Sequence, residues 1–173
     1  MGRRQFGDFI DNYLPQSEGT FLCVESGTRL GTHRGMARYT PGQRARIGGR
    51  SGRMYVAAKD VQTNSILLCQ GPAHPALRCA ELRAAPPHWV AGEPPAVLRE
   101  GGVLRCDASV RYQQSFTKCT VSTADAEGGL RVVFDEAVRH AAEQQALVLY
   151  DGEVCLGAAS ILSRTSLFER QPI

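Results

Sequence analysis

The sequence predicts a mainly β protein of two small domains, and three observations carry that prediction. The 18 Gly and 9 Pro among 173 residues fall between short apolar runs, the distribution expected of many strands joined by tight turns. Residues 103–112 alternate: Leu104, Cys106, Ala108, Val110 and Tyr112 make a mostly apolar set. Val103, Arg105, Asp107, Ser109 and Arg111 make a largely polar one, as on a sheet covered on one side. Turn residues recur between the runs, at Ser26-Gly27, Gln62-Thr63-Asn64, Asp125-Ala126-Glu127-Gly128-Gly129 and Asp151-Gly152.

Taken in order, Phe6, Phe9, Ile10, Tyr13 and Leu14 have helical spacing and end before Pro15, which predicts a short amphipathic N-terminal helix. Strands are expected at Thr20–Val24, Thr28–Thr32, Arg53–Ala58 and Ser65–Cys69. Turn residues and a reversal of charge balance put a domain boundary near Gly71-Pro72. Beyond it, strands are expected at Leu77–Ala84, Val103–Tyr112, Phe116–Thr123, Leu130–Phe134, Leu147–Tyr150 and Val154–Leu156. The Asp-Gly dipeptide marks the last hairpin. Short antiparallel strands of this kind suggest a small closed barrel. The expected layout is therefore a first domain over 1–71, a barrel over 72–163 and a tail over 164–173.

Charge is unevenly placed. Residues 1–60 carry ten Lys/Arg against five Asp/Glu, and residues 61–173 carry ten against twelve. The stretch Ser26–Ala58 holds Arg29, Arg34, Arg38, Arg44, Arg46, Arg50 and Arg53 and no acid. Arginine-rich codon usage explains the choice of Arg over Lys but not the missing acids. A block of one sign focuses potential and favours a polyanion such as RNA.

Several classes of chemistry lack their residues. The six cysteines, at 23, 69, 79, 106, 119 and 155, show no pair at zinc-knuckle spacing. Most lie inside apolar runs, as reduced core residues of a non-secreted protein do. No metal site is expected. There is no Walker loop, nucleophile elbow or His-Glu-x-x-His pair, and Ile47-Gly48-Gly49-Arg50 lacks a following helix pattern for binding phosphate. No apolar run reaches the roughly 20 residues that cross a bilayer. No catalytic residue is assigned in this chain.

The segment Thr32-His33-Arg34-Gly35-Met36-Ala37-Arg38-Tyr39-Thr40-Pro41-Gly42-Gln43-Arg44-Ala45-Arg46-Ile47-Gly48-Gly49 resembles a signature of the tRNA-specific 2-thiouridylases: His-x-Gly, Tyr-Thr-x-Gly-Gln-Arg, then Ile-Gly-Gly. Further matches follow in the same order. They include Gly2–Phe6, Lys59-Asp60, His74-Pro75-Ala76-Leu77, His88-Trp89, Arg111-Tyr112 with Gln114, Cys119-Thr120-Val121, Val133-Phe134-Asp135-Glu136 and Tyr150–Gly157. The resemblance reaches about Leu162.

It implies a small central β-rich domain and a C-terminal six-stranded barrel similar to an elongation-factor domain, both gripping the anticodon arm of tRNA. It also implies that ATP, with Mg, and the two sulfur-carrying cysteines belong to an N-terminal domain upstream of Met1. None of this chain's six cysteines matches those positions, and no cofactor is expected to bind here. A sulfur-relay protein would donate to the full-length enzyme. Arg111, Tyr112 and Gln145 match family positions that touch tRNA, and Arg34, Arg38, Arg44 and Arg46 extend that expectation through their charge. Three departures stand out. Pro41 replaces an apolar residue, Ala137 stands where Pro is common, and Glu143-Gln144-Gln145 stands for Pro-Gly-Gln. The short gap between Arg44 and Ile47 is more like the mitochondrial branch, so a mitochondrial location is suspected, with the cytoplasm as the other possibility. A stand-alone RNA-binding or scaffold barrel and an independent cysteine enzyme remain as alternative readings.

Overall fold

The computed structural model describes residues 13, 17–49, 52–111, 115–139 and 141–169. The expected N-terminal helix and Tyr112 lie outside these, apart from Tyr13. The chain divides into two compact units, Met1–Leu77 and Arg78–Ile173.

The first unit is a five-stranded sheet ordered β2-β1-β5-β4-β3. Its strands are β1 (Gly19–Cys23), β2 (Arg29–His33), β3 (Arg44–Ala45), β4 (Met54–Asp60) and β5 (Ser65–Gln70). β1 pairs antiparallel with β2 and parallel with β5, while β4 and β5 form a hairpin. The turns are chemically determined. Gly27 takes φ 66° at the β1–β2 connection, a conformation open to a residue without Cβ. In the β4–β5 turn, Asp60 Oδ1 accepts from the Gln62 and Thr63 backbone N–H groups at 3.0 and 3.3 Å. Thr63 Oγ1 donates to Asp60 Oδ2 at 2.7 Å. These bonds hold the Asp60 carboxyl below its ordinary pKa. Phe21, Ala45, Met54, Val56, Ile66 and Leu68 form the core of this unit. Fully burying a Val, Ile or Leu side chain is worth about 1.5–3 kcal/mol.

The second unit contains β6 (Arg78–Ala84), β7 (His88–Trp89), β8 (Leu104–Ser109), β9 (Thr117–Thr123), β10 (Leu130–Arg139), β11 (Ala146–Asp151) and β12 (Val154–Ser166), with one short helix, α1 (Ala96–Arg99). The order β11-β8-β9-β10-β6-β12 closes through a β11–β12 pairing, so six strands form a barrel and β7 adds to β12. The alternation read in residues 103–112 holds where it is described. Cys106, Ala108 and Val110 are buried, while Arg105 and Arg111 are exposed. Closure removes the sheet edges, and the interior fills with Leu82, Val121, Val132, Leu147, Leu149 and Ile161.

Two strands run further than their apolar signal. β10 continues through a register shift between Val133 and Val138, and that irregularity carries Asp135 and Glu136 exposed. Ala137 lies in it too, at a place where the sheet tolerates a Pro. β12 continues along β6 to Ser166. In the last hairpin Asp151 pairs with Val154, so the two loop residues are Gly152 and Glu153, one position later than the Asp-Gly dipeptide suggested. Gly152 supplies φ 57°.

Candidate nucleic-acid interface

In the first unit, the Thr32–Gly49 segment divides into residues that anchor and residues that face outward. His33, at the end of β2, is 2% exposed. Its Nε2 donates to the Asn64 carbonyl at 3.3 Å, and its Nδ1 has no hydrogen-bond partner among the described residues. The ring lies 5.3 Å from Phe21 and 6.0 Å from Tyr39, and Phe21 meets Tyr39 edge-on at 5.3 Å. Gly19 is required beside them, since a Cβ there would collide with the Asn64 carbonyl and the His33 ring. Burial pushes the His33 pKa below its ordinary 6.5, opposed in part by the bond to Asn64 and by the charge of Glu18.

A second anchor follows. Thr40-Pro41-Gly42-Gln43 is a turn closed by the Gln43 N–H on the Thr40 carbonyl at 2.9 Å. Gly42 takes φ 87°, which makes it a type II turn with Pro in the first central position and Gly in the second. Pro41, a departure from the family pattern, therefore suits the geometry it enters. Gln43 Oε1 accepts from the Thr40 N–H at 3.0 Å. The Gly42 N–H bonds to the Val56 carbonyl at 2.8 Å, and the Val56 N–H bonds to the Gln43 carbonyl at 2.9 Å. β3 then pairs Arg44 with Tyr55.

These anchors fix the backbone that carries the arginines. Arg34, Arg44 and Arg46 are exposed, whereas Arg38, in a short 3-10 turn over Met36–Arg38, is half-buried and engaged in further interactions.

In the barrel, Arg111 is exposed just past β8, and Gln145 is exposed just before β11. Val148 lies opposite Ser109 and Tyr150 opposite Asp107. Carried toward the start of β11, that register sets Arg111 and Gln145 at the same end of this strand pair. Ser109 Oγ donates to the Arg111 carbonyl at 3.1 Å. Gln144 occupies φ 65°, the left-handed region that the Gly of Pro-Gly-Gln enters without strain. The Ile161 N–H donates to the Gln145 carbonyl at 2.9 Å. The turn before Gln145 thus places a non-glycine residue in a region that favours glycine.

Other described residues of the sequence motifs make contacts within the fold. His74 Nδ1 accepts from the Ala76 N–H at 3.1 Å, leaving Nε2 to donate to Glu25 Oε1 at 2.8 Å. The Cys23 thiol donates to Glu25 Oε2 at 2.8 Å. Burial raises the Glu25 pKa, but the bonds from Cys23 and His74 outweigh it and hold the carboxyl low. The histidine here faces a carboxylate, so it is not placed to deprotonate the thiol. Cys119 and Val121 point into the barrel, and Cys106 and Cys119 lie with their Sγ atoms 3.7 Å apart. Arg105 grips Asp135 through two bonds of 2.8 and 2.6 Å and donates to Thr120 Oγ1 at 2.7 Å. That grip holds the Asp135 carboxyl below its ordinary range. Gly157 admits β7 closely, because a Cβ there would lie 2.6 Å from the His88 carbonyl.

Among the described residues no group of His, Cys, Asp or Glu is placed to hold a metal ion. Among the described residues the next element after Ile47-Gly48-Gly49 is a strand, β4, so no described helix N-terminus follows that run to face a polyphosphate. None of the described helices is long and apolar enough to cross a membrane.

A curled sheet with an arginine-bearing signature, followed by a closed barrel, defines a class of protein with two β domains. Residues 7–70 match the family model described as tRNA methyl transferase PRC-barrel domain, and residues 79–161 match the aminomethyltransferase beta-barrel domain. The chain is 39% identical over 162 residues to the mitochondrial tRNA-specific 2-thiouridylase 1 of Danio rerio, covering 94% of this chain and 39% of that protein. It is 42% identical over 172 residues to the tRNA-specific 2-thiouridylase MnmA of Burkholderia thailandensis, covering 93% and 43%. With MnmA of Marinobacter nauticus the identity is 41%, covering 93% and 41%. The chain belongs to the tRNA-specific 2-thiouridylase family and matches its two β domains. It spans less than half the length of these relatives.

Proposed function

We propose that these two domains are the tRNA-gripping part of a tRNA 2-thiouridylase, and that sulfur transfer to C2 of the wobble uridine, with ATP and a persulfide donor protein, is performed by other residues of the enzyme. One observation carries this reading. The signature's His33, Tyr39, Gly42 and Gln43 tie down a segment without acidic residues from which Arg34, Arg44 and Arg46 project. Arginines held this way neutralise phosphates and release counterions, which gives affinity and register without reading sequence. Arg111 and Gln145, at one end of the barrel, add a phosphate-binding fork and an amide for sugar or base edges. Tyr112 belongs to the same proposed contact as Arg111, and Arg38, half-buried in its short 3-10 turn, to that of Arg34, Arg44 and Arg46. The anticodon arm is the proposed ligand. The short gap between Arg44 and Ile47 favours the mitochondrial branch, and with it a mitochondrial location.

The test is to incubate the 173 residues, expressed alone, with tRNA, ATP and a persulfide donor. A shifted tRNA band at low salt and no sulfur incorporated into the RNA are expected. Thiolation by these residues alone, or no tRNA binding, would overturn the reading. A stand-alone RNA-binding module would also shift the band, but adding the N-terminal half of a relative would then restore no thiolation.

A further inference from the structure

On the outer face of the barrel two aromatic rings lie against each other. Phe116, just before β9, is 55% exposed, and its ring centroid is 4.6 Å from that of Tyr150 on β11, at an interplanar angle of 42°. β8 runs between the two strands, with Asp107 opposite both Tyr150 and Lys118. The rings therefore close over the middle strand from its two sides. Continuing along β8 on the same face leads from Asp107 through Ser109 to the exposed Arg111.

We propose that the Phe116–Tyr150 pair is a stacking platform for one unpaired nucleobase of the bound RNA, with Arg111 holding an adjoining phosphate. The proposal rests on the tRNA-binding reading and adds a site to it. An exposed Phe on a sheet face is neutral packing at best in the free protein, whereas a base laid on it removes both apolar surfaces from water. Around the rings the face is polar. Lys118 is paired with Asp107 at 2.7 Å, and Arg105 with Asp135 at 2.6 Å. A protein partner looks for a broad apolar centre, while one or two rings bordered by polar groups fit the dimensions of a base. The neighbouring ion pairs are already neutralised within the chain, so the platform gives affinity by stacking and not by counterion release. Arg111 supplies the charge complementary to the RNA backbone.

That difference in origin supplies the test. Affinity of the chain for tRNA is measured across a salt series for the parent, Phe116→Ala, Phe116→Leu and Phe116→Tyr. Phe116 is outside the core, so all four are expected to fold, and a thermal melt of each checks this. The alanine variant is expected to bind about tenfold more weakly, within the range of stacking on one base, with the slope of log K against log salt unchanged. The tyrosine variant should restore binding and the leucine variant should not. If the parent binds tRNA with steep salt dependence and the alanine variant stays within about twofold of it, the platform is overturned and the ring pair is assigned to a protein contact, while the tRNA-binding reading stands. If the parent does not bind tRNA, both fail together.

Discussion

The His33 and Tyr39 rings meet edge-on 6.0 Å apart, with Phe21 against both. Two residues of a recognisable signature therefore contact each other and the core, while Arg34 between them and Arg44 and Arg46 beyond them face outward. The signature is legible because it anchors, and the proposed binding rests on what the anchors project.

His33 makes this anchor sensitive to acid. Its folded pKa lies below the unfolded value near 6.5, so the unfolded chain takes up the proton first as pH falls. Its neutral form is the stable one, and that stability is complete above the unfolded pKa and drains away as pH falls toward the folded one. Urea unfolding at about pH 7.5 and pH 5.5 should show a loss on acidification that His33→Gln largely removes. Carboxylates with lowered values, such as Asp60 and Asp135, titrate below this window.

Gly42 sets the turn that feeds Arg44 into β3. At φ 87° a Cβ is strained, and Gly42→Ala is expected to cost about 1–2 kcal/mol. A denaturant titration measures the cost. A variant as stable as the parent would remove the type II turn from the account.

Gln144 pays the corresponding strain at φ 65°. Gln144→Gly is expected to stabilise the barrel by about 0.5–1 kcal/mol, read as a raised denaturant midpoint. A lowered midpoint would show that the Gln side chain makes a compensating contact.

The thiols should separate by burial. Cys155 is exposed, while Cys69, Cys79, Cys106 and Cys119 are buried. Burial pushes the Cys79 thiol up to about 11, and the bond to Cys106 together with burial raises Cys119. Mass spectrometry during alkylation at neutral pH should find Cys155 modified early and those four only after unfolding. A buried thiol that reacted first would revive the cysteine-enzyme reading.

Much of this was legible in the sequence, for definite reasons. Period-two alternation exposed β8, and turn chemistry exposed the hairpins, because each is a local signal. The parallel pairing of β1 with β5 and the closure of β11 on β12 are long-range and leave no local trace. β3 and β7 are two residues each, too short for a pattern. β12 continues through Gly157, Ala158, Ala159 and Ser160, small residues that carry little hydrophobic signal but let β7 and the barrel pack closely. The arginine block was visible as charge, but which arginines face outward depends on His33, Tyr39 and the Thr40–Gln43 turn. The Phe116–Tyr150 pair went unseen because the two rings are far apart in the chain and meet only across β8. Alternation placed Tyr112 on the apolar face, and its neighbour Arg111 has the exposure a binding residue needs.

The most direct measurement is the salt dependence of tRNA affinity for the parent chain and for Arg44→Ala/Arg46→Ala, between about 50 and 200 mM salt. Each lost phosphate contact should flatten the slope of log K against log salt by about 0.7–0.9, so the double variant should bind more weakly with a slope shallower by about 1.5. Parallel lines of equal affinity would mean that the arginines projecting from this anchored turn do not hold the RNA, and would contradict the account.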